Sequence, residues 1–224
     1  MPDSPAIHSA LAAHGLIARG GFHPMPADRV PGDPATLVMV GNAGPDMWAA
    51  FDGVRDAYAD GANPLDAWIT DVLDAVAADI GATALFPFGG PPHLPFQRWA
   101  QRAEPVDPSP LGVLIHPEFG LWHAYRGALA FPEKLELAQA DTHPSPCDSC
   151  ADRPCLSACP VGAFASATYD VPACVGHIMG PDSGDCMGQG CQARRACPIG
   201  RAYVYTPDQA GFHMRAFTGA QDGN

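Results

Sequence analysis

All eight cysteines of this 224-residue chain fall between Cys147 and Cys197, and the 146 residues before them contain none. In those 51 residues about one position in six is a cysteine. A segment so rich in thiols and so thin in large apolar side chains is held together by what its sulfurs bind or bond to. The change in composition sets an expected boundary near residue 141, with a first domain over 1–140 and a second over 141–224. The amino terminus, MPDSPAIHSALAAHG, lacks the basic stretch and apolar core of a secretory signal. The longest uncharged run, Ile80 to Gln97, is interrupted by Pro87, Pro91, Pro92 and Pro95, so it does not read as a membrane span. The expectation is a soluble cytoplasmic protein with no membrane partner, in a compartment where thiols stay reduced.

The cysteines form two constellations. The first is Cys147-x2-Cys150-x4-Cys155-x3-Cys159-Pro160, and the second is Cys174-x11-Cys186-x4-Cys191-x5-Cys197-Pro198. In bacterial two-cluster ferredoxins a compact loop gives three thiolates to one 4Fe-4S cluster, while the fourth cysteine of the run, followed by proline, reaches the other. Four soft thiolates must enclose a large cube while loop N–H groups point at the sulfurs, and a tight three-thiolate loop satisfies both demands. Applied to this sequence, one cluster takes Cys147, Cys150, Cys155 and Cys197, and the other takes Cys159, Cys174, Cys186 and Cys191. The count closes without remainder.

Three other readings stay open on spacing alone. Disulfides suit an even count but clash with a reducing compartment and a crowded C-x-x-C. Structural zinc favours paired C-x-x-C knuckles, and only Cys147 and Cys150 have that spacing. A single cluster with spare thiols fits the longer x11 and x5 intervals of the second group.

The first 140 residues alternate between strand-like and helix-like patterns, which predicts an α+β fold. Thr36 to Val40 is a β-branched apolar run ending at a Gly-Asn-Ala-Gly-Pro turn. Asp46 reads as the cap of a helix to Ala59, burying Trp48, Phe51, Val54 and Tyr58. Asn63 caps a second helix with Pro64 at its first position, and Leu65, Trp68, Ile69, Val72, Leu73, Val76 and Ile80 repeat at three- and four-residue steps before Gly81. Thr83 to Phe86 and Gly112 to Ile115 are further expected strands. Between them lie a proline-rich loop and the amphipathic FQRWAQRAE stretch, and Gly120 to Phe131 is apolar enough for one more strand.

At the cysteines a family likeness becomes specific. CPVGAF at 159–164 and CPIGRAY at 197–203 resemble the Cys-Pro-x-Gly steps of bacterial-type ferredoxin domains. The eight-cysteine order, with Cys174 alone between two groups, is similar to the iron-sulfur portion of epoxyqueuosine reductases, although residues are inserted in both groups. Upstream, residues 96–131 resemble cobalamin-processing proteins of the methylmalonic aciduria and homocystinuria type C family in Gln97-Arg98, Ile115-His116-Pro117, Phe119-Gly120, Trp122 and Arg126-Gly127. The same stretch resembles a segment of epoxyqueuosine reductase, itself a cobalamin enzyme. These resemblances imply a nitroreductase-like domain that holds a corrinoid, followed by a small ferredoxin-like domain. Gln97, Arg98, His116, Trp122 and Arg126 are then the expected corrinoid contacts, on an apolar surface of Phe96, Phe119 and Tyr125. Each has a plainer reading: Trp122 and Phe119 as sheet packing, Arg126 as an ion-pair partner, and His116 or His123 as hydrogen-bonded structure instead of an axial cobalt ligand. The chain has no Walker loop, no G-x-G-x-x-G after a strand and no H-E-x-x-H.

The expectation that follows is an iron-sulfur redox protein in which two 4Fe-4S clusters pass single electrons to cobalamin, supplied by a donor of the flavodoxin or ferredoxin reductase type. A cobalamin-free electron carrier is the first alternative, and an epoxyqueuosine reductase acting on tRNA is the second. Against the last stand a net charge of -12, which counts against nucleic acid as a partner, and a missing carboxy-terminal extension. VDPSPLG at 106–112 also stands where those reductases carry a glycine-rich segment, so Asp107 is assigned no catalytic role.

Overall fold

The protein is described from a computed structural model, over residues 5–138, 143–164, 168–181 and 183–220. It divides into two compact units, one made of Met1–Pro105 with His123–His143, the other of Val106–Trp122 with Pro144–Asn224. The expected 140/141 boundary lies outside the described residues. The structure corrects its simplicity, because residues 106–122 leave the first unit and join the cysteines.

In the first unit, helix α1 (Pro5–Ala12) precedes strand β1 (Ile17–Phe22), and β2 (Thr36–Ala43) leads into α2 (Asp46–Asp52). Helix α3 (Pro64–Asp79), strand β3 (Thr83–Leu85), helix α4 (Phe96–Ala103) and strand β4 (His123–Phe131) complete it. The sheet order is β1-β2-β4-β3, with every neighbouring pair antiparallel. Strand β2 is central and buried from Thr36 to Asn42, which is why it reads as a continuous apolar run and not an alternating one. It also runs three residues past Val40, into the turn expected from Gly41.

Helix α3 forms where its periodicity predicts, burying Leu65, Trp68, Ile69, Val72, Leu73 and Val76. Burying each large apolar side chain of this face contributes about 1.5 to 3 kcal/mol. The Asn63 side chain makes no capping bond, so Pro64 carries the start signal. A Cβ at Gly127 of β4 would push against the end of the Leu73 side chain, so the missing side chain lets strand and helix pack closely here. Helix α2 stops at Asp52, short of the expected Ala59. Gly53 ends it, Val54 is 45% exposed, and a 3-10 turn follows over Arg55–Tyr58. Helix α4 buries Phe96, Trp99, Ala100 and Ala103, with the Trp99 indole N–H donating to the Asp28 carbonyl at 2.9 Å.

The second unit is built from short pieces: helices α5 (Pro154–Ser157), α6 (Val171–Met179), α7 (Gly184–Gln189), α8 (Gln192–Arg195) and α9 (Pro207–Gly219). The strand expected over Gly112 to Ile115 shrinks to a two-residue ladder, Asp107–Pro108 against Leu114–Ile115. Leu111, Ile115 and Leu121 bury themselves with Ala163, Phe164, Ala193 and Cys197, which is the physical reason that 106–122 belongs here. Gly120 (φ 58°) lies against the Ile199 carbonyl and Gly200 (φ 74°) against the Phe119 carbonyl, a backbone-to-backbone approach that no side chain would allow. Arg194 seals the join by donating to the Leu121 carbonyl at 2.9 and 2.5 Å while lying over the Trp122 and Tyr205 rings. Among the described residues no helix is long and apolar enough to cross a membrane.

Candidate metal centre

Local geometry aims the eight thiols. Cys147 and Cys150 share one turn, with the Cys150 N–H donating to the Cys147 carbonyl at 3.4 Å. Cys155 sits on α5, which follows Arg153 in a left-handed conformation and begins with Pro154. The Cys159 sulfur accepts the Ala163 N–H at 3.4 Å. Asp170 caps α6, its carboxylate accepting from Ala173 N–H at 3.0 Å, and this orients Cys174 in the first turn. Cys186 lies on α7, Cys191 holds the N-cap position of α8, and Cys197 follows the C-terminal cap of α8, Ala196.

These positions collect into two sets. Cys147, Cys150, Cys155 and Cys197 line one apolar recess, together with Pro110, Ile115, Pro198 and Ile199. Cys159, Cys174, Cys186 and Cys191 form the second set, whose members feel one another electrostatically. Burial pushes the thiols of Cys147 and Cys155 up, and the charges of Cys150 and Cys197 push them further. Burial likewise raises Cys191, against N–H groups of Ala193 and Arg194 that draw it down, with Cys186 and Cys174 raising it again. Cys197 is raised by burial and lowered by the Ile199 N–H. Burial and neighbouring cysteines thus oppose ionisation of the Cys147, Cys155, Cys191 and Cys197 thiols, and bound cations invert that logic.

The donors are all sulfur, which suits iron or zinc over hard cations. A single zinc, with Zn–S of about 2.3 Å, draws four sulfurs to within about 3.8 Å of one another. Among the described residues no three His, Cys, Asp or Glu side chains converge closely enough for one ion.

The five expected corrinoid contacts do not assemble within either unit. Gln97, Arg98 and Arg126 belong to the first, and His116 and Trp122 to the second. Gln97 and Arg98 are exposed on α4, and the Arg98 charge helps to lower the Asp28 carboxyl, whose own burial works against it. His116 Nδ1 accepts the N–H groups of Glu118 and Phe119 at 3.1 and 3.2 Å, and its ring stacks on Phe119, so it closes its own loop. Trp122 is 2% exposed and packs on Tyr205 and Ala210. The Arg126 guanidinium donates to Asn42 Oδ1 at 3.0 Å. It is the extra residue of a bulge between the Val40–Gly127 and Gly41–Tyr125 pairs, which interrupts the side-to-side alternation of the strand there.

Two groupings escaped the sequence reading. In the first unit Arg19, 1% exposed, pairs with Glu104 at 2.6 Å, reaches His123 Nδ1 at 3.3 Å and lies over the Tyr125 ring, while Tyr125 hydrogen-bonds Glu104. Burial raises the Glu104 carboxyl, with Arg19 and Tyr125 pulling it back, and burial also pushes the Tyr125 phenol well up. In the second unit the Tyr169 ring stacks on Phe164 and Phe217, and burial pushes its phenol well up too. The signal for this placement was available: Tyr169 precedes an Asp-x-Pro helix start.

No protein-family model and no curated protein matches the chain. Solved structures do. Epoxyqueuosine reductase from Streptococcus thermophilus superposes with a TM-score of 0.54 at 16% identity, over 94% of this chain and 70% of that one. Epoxyqueuosine reductase holding an epoxyqueuosine-modified tRNA-Tyr stem loop gives 0.52 at 14%, over 92% and 69%. The Bacillus subtilis enzyme gives 0.50 at 14%, over 92% and 69%. The likeness is one of fold, and it supports the epoxyqueuosine reductase resemblance; these matches do not show the type C cobalamin-processing one. They also correct the expectation that set nucleic acid aside, since a protein of this fold carries a tRNA stem loop. Net charge sums over a whole surface, whereas phosphate and base contacts are local.

Proposed function

We propose that this chain is an iron-sulfur oxidoreductase of the epoxyqueuosine reductase architecture, with two 4Fe-4S clusters and a modified tRNA nucleoside as its substrate class. The observation that carries this reading is the recess lined by Cys147, Cys150, Cys155 and Cys197, in a fold similar to that reductase over 94% of the chain. Cys147, Cys150, Cys155 and Cys197 would hold one cluster, and Cys159, Cys174, Cys186 and Cys191 the other. Such a cluster supplies one-electron transfer when bound.

The chain's own residues do the rest. N–H groups of Ala163, Ala193, Arg194 and Ile199 donate toward the sulfurs of Cys159, Cys191 and Cys197, and Arg201 places a positive charge beside Cys197. Prolines and Ile115 keep the first recess apolar. On this reading the first unit is nitroreductase-like and bears the substrate, the second is ferredoxin-like, and a flavodoxin or ferredoxin reductase supplies electrons. The corrinoid is a finer claim, with Arg126 among its expected contacts.

The test starts with protein purified and reconstituted without oxygen, for which about eight irons per chain are expected. Four or fewer break the two-cluster reading. Cys159→Ser and Cys174→Ser should each halve the iron and abolish the same spectroscopic signal. The loaded protein, reduced with dithionite, is then offered an epoxyqueuosine-containing tRNA stem loop with and without cobalamin. Loss of the epoxide is expected, and fully loaded protein that leaves the stem loop intact in both arms overturns the substrate assignment. Arg126→Ala should weaken cobalamin binding by roughly ten- to a hundredfold with iron content unchanged, and a wild-type protein with no cobalamin spectral change removes the corrinoid.

A further inference from the structure

We infer that the acid-free stretch from Phe86 through helix α4 is a docking face for unpaired RNA, with the exposed Phe88 ring as a stacking platform for a base and Arg29 and Arg98 as contacts to phosphates beside it. The inference deepens the proposed tRNA reading and rests on it: that reading names a nucleoside, and this one names where the rest of the loop is held.

Charge sets the place. The first unit carries seven basic side chains against fifteen acidic ones, yet Ile80 to Ala103 contains no aspartate or glutamate and holds Arg98 and Arg102. Helix α4 buries Phe96, Trp99, Ala100 and Ala103 and leaves Gln97, Arg98 and Gln101 exposed on its other side. The turn at 25–29 lies against this helix: Trp99 donates to the Asp28 carbonyl at 2.9 Å, and Arg102 pairs with the Asp28 carboxylate, which also accepts the Met25 N–H at 2.7 Å. That carboxylate is spent inside the turn. Arg29, the next residue, is exposed, and neither it nor Arg98 has an ion-pair partner among the described residues. Two uncompensated guanidinium groups in a unit of excess negative charge mark where a polyanion can approach.

The aromatic pair selects among polyanions. Phe88 is 37% exposed, and its ring stacks on Phe86 at 5.3 Å and 26°. Phe86 in turn lies 3.7 Å from where a Cβ of Gly127 on β4 would stand, so the sheet braces the pair. Bracing one face of the Phe88 ring leaves the other for a base, and every base has a π surface to stack. Gln97 and Gln101, four residues apart on one side of α4, add neutral hydrogen-bonding groups beside the cations. Phe88 and Arg98 are ten residues apart, so at most about 35 Å of extended chain separates them. Roughly ten stacked nucleotides at about 3.4 Å each cover that length, so one strand reaches both. A paired stem keeps its bases stacked inside, so the fit is to unpaired nucleotides. An acidic protein surface would also answer the two arginines, but a braced flat ring next to them favours bases.

The experiment measures binding of a fluorescent, unmodified tRNA-Tyr stem loop to the iron-loaded protein by anisotropy, across a salt series. Leaving out the modified nucleoside keeps substrate chemistry out of the readout. Arg29→Ala and Arg98→Ala should each weaken binding several-fold and reduce the slope of log affinity on log salt by about 0.7. Phe88→Leu, which keeps apolar bulk over Phe86, should weaken binding roughly tenfold with the slope unchanged, and Phe88→Trp should restore it. Arg55→Ala removes an exposed arginine that pairs with Asp52 at 3.1 Å, and it should change neither quantity. A blunt duplex of the same length should bind more weakly than the stem loop and be indifferent to Phe88→Leu. Wild-type binding that Phe88→Leu and Arg98→Ala leave unaltered, at full iron content, overturns the inference and leaves the tRNA reading standing. Weakening by the arginine variants alone makes the face a plain phosphate contact, and the inference as stated fails. If the same substitutions weaken binding of an acidic flavodoxin and spare the RNA, the face serves a protein and the inference is overturned. A wild type that binds neither this stem loop nor its epoxyqueuosine-modified form at high micromolar concentration overturns the tRNA reading and the inference with it.

Discussion

The two units reach stability by different routes. The first is an ordinary core: Leu37, Val38, Met39 and Val40 of β2 are fully buried between α-helices and neighbouring strands, and α3 adds a long apolar face. In the second, α5 and α8 have four residues each, α7 has six and α6 nine, all below the length at which a helix holds itself in water. Its main core includes Cys197 and packs against five further cysteines. The lesson is that one chain can spend conformational entropy against apolar burial in one region and against ligand bonds in another.

The largest effect should come from removing the metal. Chelation without oxygen takes away binding energy on the order of 10 kcal/mol or more for a structural metal site, and in the second unit that energy is folding energy. Protease sites should open across 144–220 and also within 106–122, while the rest of the first unit stays protected. Protection of 106–122 in the metal-free chain breaks the comparison, because it means that segment holds without the clusters. A smaller effect is expected on the other side. Leu73→Ala empties the pocket against Gly127 and should cost about 2 to 5 kcal/mol in denaturant unfolding of the first unit, with iron content unchanged. Iron lost in step with that destabilisation would show the two units to be one cooperative body.

The smallest effect concerns the buried pair. Glu104 has its carboxyl raised above its usual value of 4.5, so the folded protein binds more proton than the unfolded chain just above that pH. Its contribution is therefore present below the unfolded value and is lost as pH rises through the folded one. Urea midpoints of wild type should fall from about pH 5 upward across this window relative to Glu104→Gln, whose profile should be flatter. Parallel profiles would mean that Arg19 fully offsets the burial.

Several elements were legible in the chain itself. Helix α3 is written at three- and four-residue steps from Leu65 to Val76, and the crowding of all eight cysteines beyond residue 146 is plain in their order. Strand β1 was not legible, because IARGGF places an arginine and two glycines where alternation should show. Arg19 is buried there because Glu104, 85 residues later, pairs with it. The end of α2 was misread for a milder reason: Tyr58 keeps helical spacing, but the backbone past Gly53 tightens to a 3-10 turn and Tyr58 hydrogen-bonds Asp71 of α3 instead.

What the amino-acid order determined by itself is therefore local: which stretches are helix, where thiols are dense, and which cysteines share a loop. These follow from periodicity and spacing, which act over a few residues. Tertiary structure alone decided that residues 106–122 side with the cysteines, that His116 closes its own loop and Trp122 packs on Tyr205 and Ala210 in that unit, and that the Tyr169 ring stacks on Phe217. Each of those outcomes depends on a partner brought near only by folding: Ile199 and Gly200 against Phe119 and Gly120, Arg194 on Leu121, and Phe217 on the Tyr169 ring. Contacts of that range are set by which surfaces can bury together without voids or unpaired polar groups, and sequence spacing carries no record of them.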